Sequence, residues 1–142
     1  MPIQNADLFK GLMIVSEISR ACVVDEVPEG TIIYGPTDKA DYFYILLKGS
    51  VELLSGENSR TGIVVNREGE IFGWSSMVGR DFYTMTAKCV TSASVVRISK
   101  NRLNHIFEKH PHDGMLFYKR LSAAILQRLV DTSSALPSEN NK

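Results

Sequence analysis

The chain has 142 residues, 16 basic and 16 acidic side chains, a formal charge of +0, 44% apolar and 23% charged residues. One ordinary domain fits that length, while the composition excludes a disordered chain and argues against a nucleic-acid binder that works by neutralising phosphates. No apolar run approaches the ~18 residues of a membrane span, and MPIQNADLF lacks the apolar core of a signal peptide, so the reading is a cytoplasmic protein with no membrane contact.

Residues 3–20 carry Ile3, Ala6, Leu8, Phe9, Leu12, Met13, Val15 and Ile18 at intervals of three or four, with Asn5 or Asp7 to cap, and predict a helix. Residues 21–98 break into short runs rich in Val, Ile, Tyr and Thr: CVVDEV, TIIYG, YFYILL, SVELL, TGIVV, TMTAKCV and ASVVRI. Glycines punctuate them, which predicts an all-β roll or sandwich and not alternating strands and helices. Cys22 and Cys89 have no CxxC spacing and read as reduced, buried thiols.

Helical spacing returns over 100–110, where Leu103, Ile106 and Phe107 share a face and Pro111 ends the segment. A longer helix is predicted over 113–133 with two apolar seams. Tyr118, Ser122, Ile125, Leu129 and Thr132 form one; Leu116, Ala123, Leu126 and Val130 lie nearly opposite. A helix apolar on two sides needs cover on two sides. The domain supplies one, and a second copy of the helix, making a homodimer, supplies the other through Tyr118, Ser122, Ile125 and Leu129. The tail 134–142 is polar, contains a proline and is expected to be disordered. Charge is uneven: 17–41 holds six acids against two bases, and 100–130 six bases against two acids, which reads as two solvated faces.

The search for chemistry finds no GxSxG, HExxH or P-loop. His105, His110 and His112 have no acid or Cys cluster at metal spacing, so no metal is expected and the chain is not read as an enzyme. The informative stretch is GEIFGWSSMVGRDFYTMTAK, residues 69–88. Gly69 and Gly73 make a tight turn into Trp74-Ser75-Ser76-Met77-Val78, which suits one helical turn, and a strand with Thr84, Thr86 and Lys88 follows. Free backbone N–H groups and hydroxyls at such a turn can hold an anion.

From about Leu8 to Ser133 the chain resembles the cyclic-nucleotide-binding domain of the catabolite-activator family and of the regulatory subunits of cyclic-nucleotide-dependent kinases. LFKGL looks like that family's first helix; EGTIIYG is similar to its first β-turn signature; Asp41 followed by FYILLKGSVEL, with Gly49, looks like its strand-turn-strand; GEIFG resembles the start of its phosphate-binding cassette; and RLSA, Arg128-Leu129 and Thr132-Ser133 are similar to its dimer helix. The resemblance implies a mainly β, α+β fold: an antiparallel β-roll of the jelly-roll type with an N-terminal helix and a long C-terminal dimer helix, residues 1–133 forming one domain.

In that family the cassette holds a cyclic phosphate with backbone N–H groups and one arginine, and a glutamate after the GxxxG turn holds the ribose. Here Trp74 stands where the glutamate is expected, and Tyr83 or Thr84 where the arginine is expected. A lost charge-assisted contact costs about 2–3 kcal/mol and a lost ribose contact ~1–3 kcal/mol more, weakening binding by roughly a few hundred-fold or worse. Arg80 is the nearest cation that could substitute, and Trp74 could stack on a base. By resemblance the candidate ligand residues are Gly73, Trp74, Ser75, Ser76, Arg80, Tyr83, Thr84 and Thr86, with Thr132 and Ser133 from the helix.

Two functions follow. The first is a regulatory, ligand-sensing domain with no permanent cofactor. It takes a small anionic or nucleotide-like effector in the roll, binds cyclic AMP weakly or not at all, and signals through the C-terminal helix to its dimer mate or a downstream protein. The second is a protein-interaction domain with a decayed pocket. Direct DNA binding is not expected, because activators of this family carry a helix-turn-helix after the long helix and this sequence stops at Lys142.

Overall fold

The computed structural model describes residues 7–55 and 62–135. The chain opens with a 3₁₀ turn at Asp7–Phe9 and a short helix, α1 (Val15–Arg20). Eight strands follow: β1 (Cys22–Val27), β2 (Ile32–Tyr34), β3 (Tyr42–Lys48), β4 (Val51–Leu54), β5 (Gly62–Val65), β6 (Ile71–Phe72), β7 (Thr86–Cys89) and β8 (Ala93–Ser99). A second 3₁₀ turn, Trp74–Met77, lies between β6 and β7, and two helices, α2 (Lys100–Lys109) and α3 (Pro111–Ala135), close the fold.

All pairings are antiparallel and build two four-stranded sheets, in the orders β1-β8-β3-β6 and β2-β7-β4-β5. The central strand β3 of the first sheet is covered on both faces, which explains why it reads as a nearly continuous apolar run instead of alternating. Phe43, Ile45, Val96 and Ile98 pack under the helices with Phe9, Ile18, Leu103, Phe107, Phe117 and Leu121. Tyr44, Leu46 and Val95 face the other way and meet Leu53, Val65, Ala87 and Cys89 of the second sheet. In β4 only one face is covered, so Val51 and Leu53 are buried while Glu52 and Leu54 alternate outward.

The expected N-terminal helix is shorter and broken. Gly11 takes φ +74°, a left-handed conformation that ends helical geometry, and Leu8, Phe9, Leu12 and Ile14 are buried without a continuous helix. Residues 3–6 of that expectation lie outside the described residues. Pro111 does separate two helices, but it also opens α3, where a proline's missing N–H costs nothing. Only His110 intervenes, its ring 3.1 Å from Glu17. α3 runs through Ala135, and 136–142 of the expected disordered tail lie outside the described residues.

Candidate functional site

The cassette-like segment begins where Ile71 and Phe72 pair with Ile45 and Tyr44 of β3. Gly73 follows with φ +74° and caps the 3₁₀ turn Trp74–Met77. A side chain at 73 would be strained by that backbone, and its Cβ would sit 2.9 Å from the Tyr44 ring. The glycine therefore lets the turn press onto β3. Within the turn, Ser76 Oγ donates to the Gly73 carbonyl at 2.9 Å, and the Ser75 carbonyl accepts from the amides of Val78 and Arg80. Both serines are buried, and the Ser76 hydroxyl is spent on the turn itself.

The interior that this segment borders is filled by aromatic rings. Tyr83 stacks on Tyr34 at 3.7 Å between centroids and 15° between planes. Tyr44 stacks on Phe72 at 5.0 Å and 10°, and Tyr34 touches both at 5.8 and 6.4 Å. The Tyr83 hydroxyl donates to the Tyr42 carbonyl at 2.7 Å and accepts from the Tyr42 amide at 3.2 Å, which fixes the ring inward. What remains is a cavity of about 30 Å³ lined by Tyr34, Leu53, Phe72, Gly73, Trp74, Ser75, Tyr83, Thr84 and Met85. Sites for drug-sized ligands measure roughly 300–1,000 Å³, so this space has room for water and not for a nucleotide. Burial is the main cause that raises the phenols of Tyr34, Tyr44 and Tyr83 above the ordinary tyrosine value, Tyr83 to about 12. For Tyr34 the Gly73 backbone and the Arg128 charge pull the other way.

The turn meets α3 through Arg128. Its guanidinium lies 4.6 Å from the centroid of the Trp74 ring, close enough for a cation–π contact. Its Nη2 donates to the Ile71 carbonyl at 2.9 Å and is 3.6 Å from Glu70 Oε2. Glu70 is itself held, because its Oε1 accepts from the amides of Asn66 and Arg67 at 3.1 and 2.8 Å. Burial pushes the Arg128 guanidinium below its ordinary value, against the pull of Glu70.

The structure thus brings Gly73, Trp74, Ser75, Tyr83 and Thr84 together around one small cavity. Thr86 is half-buried at the start of β7. Arg80 is exposed, with its backbone amide on the Ser75 carbonyl, and does not line the cavity. Thr132 is half-buried on α3, one turn past Arg128, and the Ser133 side chain lies outside the described residues. On α3, Tyr118 and Ile125 pack against the domain's own core, and the Tyr118 hydroxyl donates to Asn104 at 2.8 Å. Ser122 and Leu129 of that seam are exposed, and so are Ala123, Leu126 and Val130 of the other. The uncovered face therefore combines halves of both expected seams. Helical rotation sets this: Leu121, Ala124, Ile125 and Arg128 follow one 3.6-residue face onto the body.

Tyr34 and Arg128 were not singled out as site residues from sequence. Arg128 could have been, because it falls seven residues after Leu121 and three after Ile125, on the buried face where a charge demands a reason. Larger hollows include a 720 Å³ open groove between α1 and α2, a 340 Å³ hollow at Val27, Lys48 and Ser94, and, beside the Arg128 contact itself, a 590 Å³ cleft between α3 and the β5–β6 turn that Glu70, Ile71 and Arg128 help to line. Among the described residues no group of three or more His, Cys, Asp or Glu could hold a metal ion, and no helix is long and apolar enough to cross a membrane.

The model of the cyclic nucleotide-binding domain family matches residues 24–110. The chain belongs to that family of regulatory β-rolls. Its structure is similar to that of a protein from Geobacter metallireducens GS-15 assigned to cyclic nucleotide binding, at 29% identity and TM-score 0.77, covering 87% of this chain and 92% of that one. A cyclic nucleotide-binding domain from Methylobacillus flagellatus KT shares the fold at TM-score 0.78 and 16% identity, over 97% and 83% of the two chains. The catabolite activator protein of Thermus thermophilus does so at TM-score 0.70 and 19% identity, over 89% of this chain and 59% of its own. A search of curated proteins gives no match.

Proposed function

We propose that this chain is a regulatory domain of the cyclic-nucleotide-binding type that does not answer to cyclic AMP and acts through contacts of α3 with a second copy. The observation that carries this reading is the Tyr34–Tyr83 stack, which leaves about 30 Å³ where a nucleotide would have to enter. By the family resemblance, Trp74 also stands in place of the expected acid, and Tyr83 or Thr84 in place of the expected cation. Calorimetry with cyclic AMP and cyclic GMP should give no binding heat at micromolar ligand. A sub-micromolar dissociation constant for either would end the proposal, because the tyrosines would then have to be mobile lids.

The partner surface is the uncovered face of α3, where Leu126 and Leu129 are 61% and 63% exposed beside Val130. Pairing with a second copy would bury this stripe in the manner of a two-helix seam. Sedimentation should show a dimer at micromolar concentration, and Leu126→Glu with Leu129→Glu should give monomers of unchanged secondary structure. Wild-type protein that sediments as a monomer would refute the homodimer.

A second reading, a small-anion sensor, is favoured by the left-handed Gly73 that opens the 3₁₀ turn at the edge of the cavity. Phosphate titration followed by backbone amide NMR separates the two. Shifts confined to residues 73–77 at millimolar phosphate would establish the sensor; amides that stay still would leave the interaction domain.

A further inference from the structure

Charge on α2 runs against the helix dipole. The first turn holds Lys100 and Arg102 and no acid, although a helix favours negative charge at that end. Asp41 lies 3.7 Å from Lys100 and offsets it. Arg102 has no such partner. Among the described residues no ion pair is recorded for Arg102, for Lys109 in the last turn of α2, or for Arg20 at the end of α1. Natural sequences break local preferences of this kind mainly at functional sites.

These three cations line one open groove of 720 Å³ between α1 and α2. Arg102, Ile106 and Lys109 follow at intervals of four and three, so they share one face of α2. Arg102 and Lys109 stand about 10 Å apart along the axis at ~1.5 Å per residue, with half-buried Ile106 between them. Two acids are near, and both face a histidine. Glu17 lines the groove with its carboxylate 3.1 Å from His110, and Glu108 is 3.9 Å from His105. The groove thus presents uncompensated positive charge around an apolar centre.

We propose that this groove docks an acidic segment of a partner protein, with an apolar side chain on Ile106 and carboxylates on Arg102 and Lys109 to either side. Two helical turns separate the cations, which suits a chain carrying several charges better than one small anion. A guanidinium can hold a carboxylate through two parallel hydrogen bonds. Duplex DNA suits the groove less. Its phosphate backbone gains nothing from the apolar centre, and a chain of formal charge +0 carries enough acid elsewhere to repel a long polyanion. The surface lies on α1 and α2, away from the small β-roll cavity and from the uncovered stripe of α3. It therefore stands whichever reading of the cavity holds.

The probe is a fluorescein-labelled peptide, ESLSESLSE, which presents glutamate and leucine alternately on one face when extended. Fluorescence anisotropy with the full chain should show saturable binding that weakens about tenfold or more between about 0.05 and about 0.5 M salt. Arg102→Glu with Lys109→Glu should weaken binding at least about tenfold at low salt. Lys48→Glu with Lys88→Glu makes the same change in net charge at exposed strand positions outside the groove, and should leave affinity within about twofold. A peptide with serine in place of both leucines should bind about threefold more weakly or worse, because it leaves Ile106 without an apolar partner. Circular dichroism checks that each variant is folded; all four substituted side chains are exposed.

Equal losses in the two double variants would overturn the proposal, because net charge alone would then explain binding. So would equal affinity for the serine peptide, which would reduce the groove to a surface for counterions, or no saturable binding to wild type at low salt. Duplex DNA that binds more tightly than the peptide, and loses affinity in Arg102→Glu/Lys109→Glu, would overturn it in favour of nucleic acid. None of these results bears on whether α3 pairs with a second copy, which sedimentation decides separately.

Discussion

Raising the pH above about 10 should unfold this domain steeply, more steeply than surface titration alone would. Tyr34, Tyr44 and Tyr83 are 5%, 6% and 4% exposed, and burial raises all three phenols. In the unfolded chain they ionise near the ordinary value of about 10, whereas the folded chain keeps them protonated. The native state then holds more protons, so the stabilisation is complete below that pH and is lost as pH rises toward the folded values. Each phenol contributes a slope of about 1.4 kcal/mol per pH unit, and three together about 4 kcal/mol per unit. Denaturant titrations at several pH values, with phenolate absorbance followed in parallel, measure this directly. Tyr83→Phe should remove one phenol's share of the slope. A flat denaturation midpoint between about pH 9 and about pH 11 would mean that the rings are open to solvent.

Phe117→Ala should destabilise the domain by about 3–5 kcal/mol, the range for deleting a buried aromatic ring. Phe117 is fully buried and contacts the rings of Phe9, Phe43, Phe107 and Tyr118 at 5.5, 5.9, 4.9 and 5.3 Å. It thus joins the N-terminal 3₁₀ turn, β3, α2 and α3 at one point. The loss corresponds to a fall in Tm of roughly 10–20 °C for a domain of this size. Met115→Ala, on the exposed side of the same helix, is the control and should change stability by less than about 0.5 kcal/mol. A Phe117→Ala loss as small as the control's would mean that the helices are not packed on β3.

The fold was legible because its signals are local and repeated. Glycine-punctuated strand runs from CVVDEV to ASVVRI sit between helical periodicities, and the dispersed motifs arrive in family order. Two details escaped for physical reasons. The left-handed turn at Gly11 breaks a spacing that otherwise satisfies a helix, and a periodicity count cannot see a backbone angle. The two-residue strand β6 is too short to show any alternation and is held only by its partner β3.

The candidate site was half legible. Gly73 and the turn after it follow from the motif, and Tyr83 or Thr84 stands where a cation is expected. That Tyr83 would turn inward onto Tyr34 depends on residues 49 positions apart in the chain, a long-range pairing that spacing cannot encode. The helix faces were confused because both seams of α3 are apolar, and only the docked body decides which half of each is covered.

The junction of α2 and α3 sets how far any displacement of the long helix travels. One residue, His110, separates the two helices, and Gly114 lies so close to Phe107 that an added Cβ would fall 2.9 Å from it. The junction is tightly packed, so a tilt of α3 as one body would pivot near the buried Phe117 and Leu121. The arm beyond Leu121 is about 20 Å long at ~1.5 Å per residue, so a tilt of only about 5° carries its tip through about 2 Å. On the reading of α3 proposed above, a shift smaller than one side chain at the base of the helix would reach its end as a displacement large enough to change which surfaces meet.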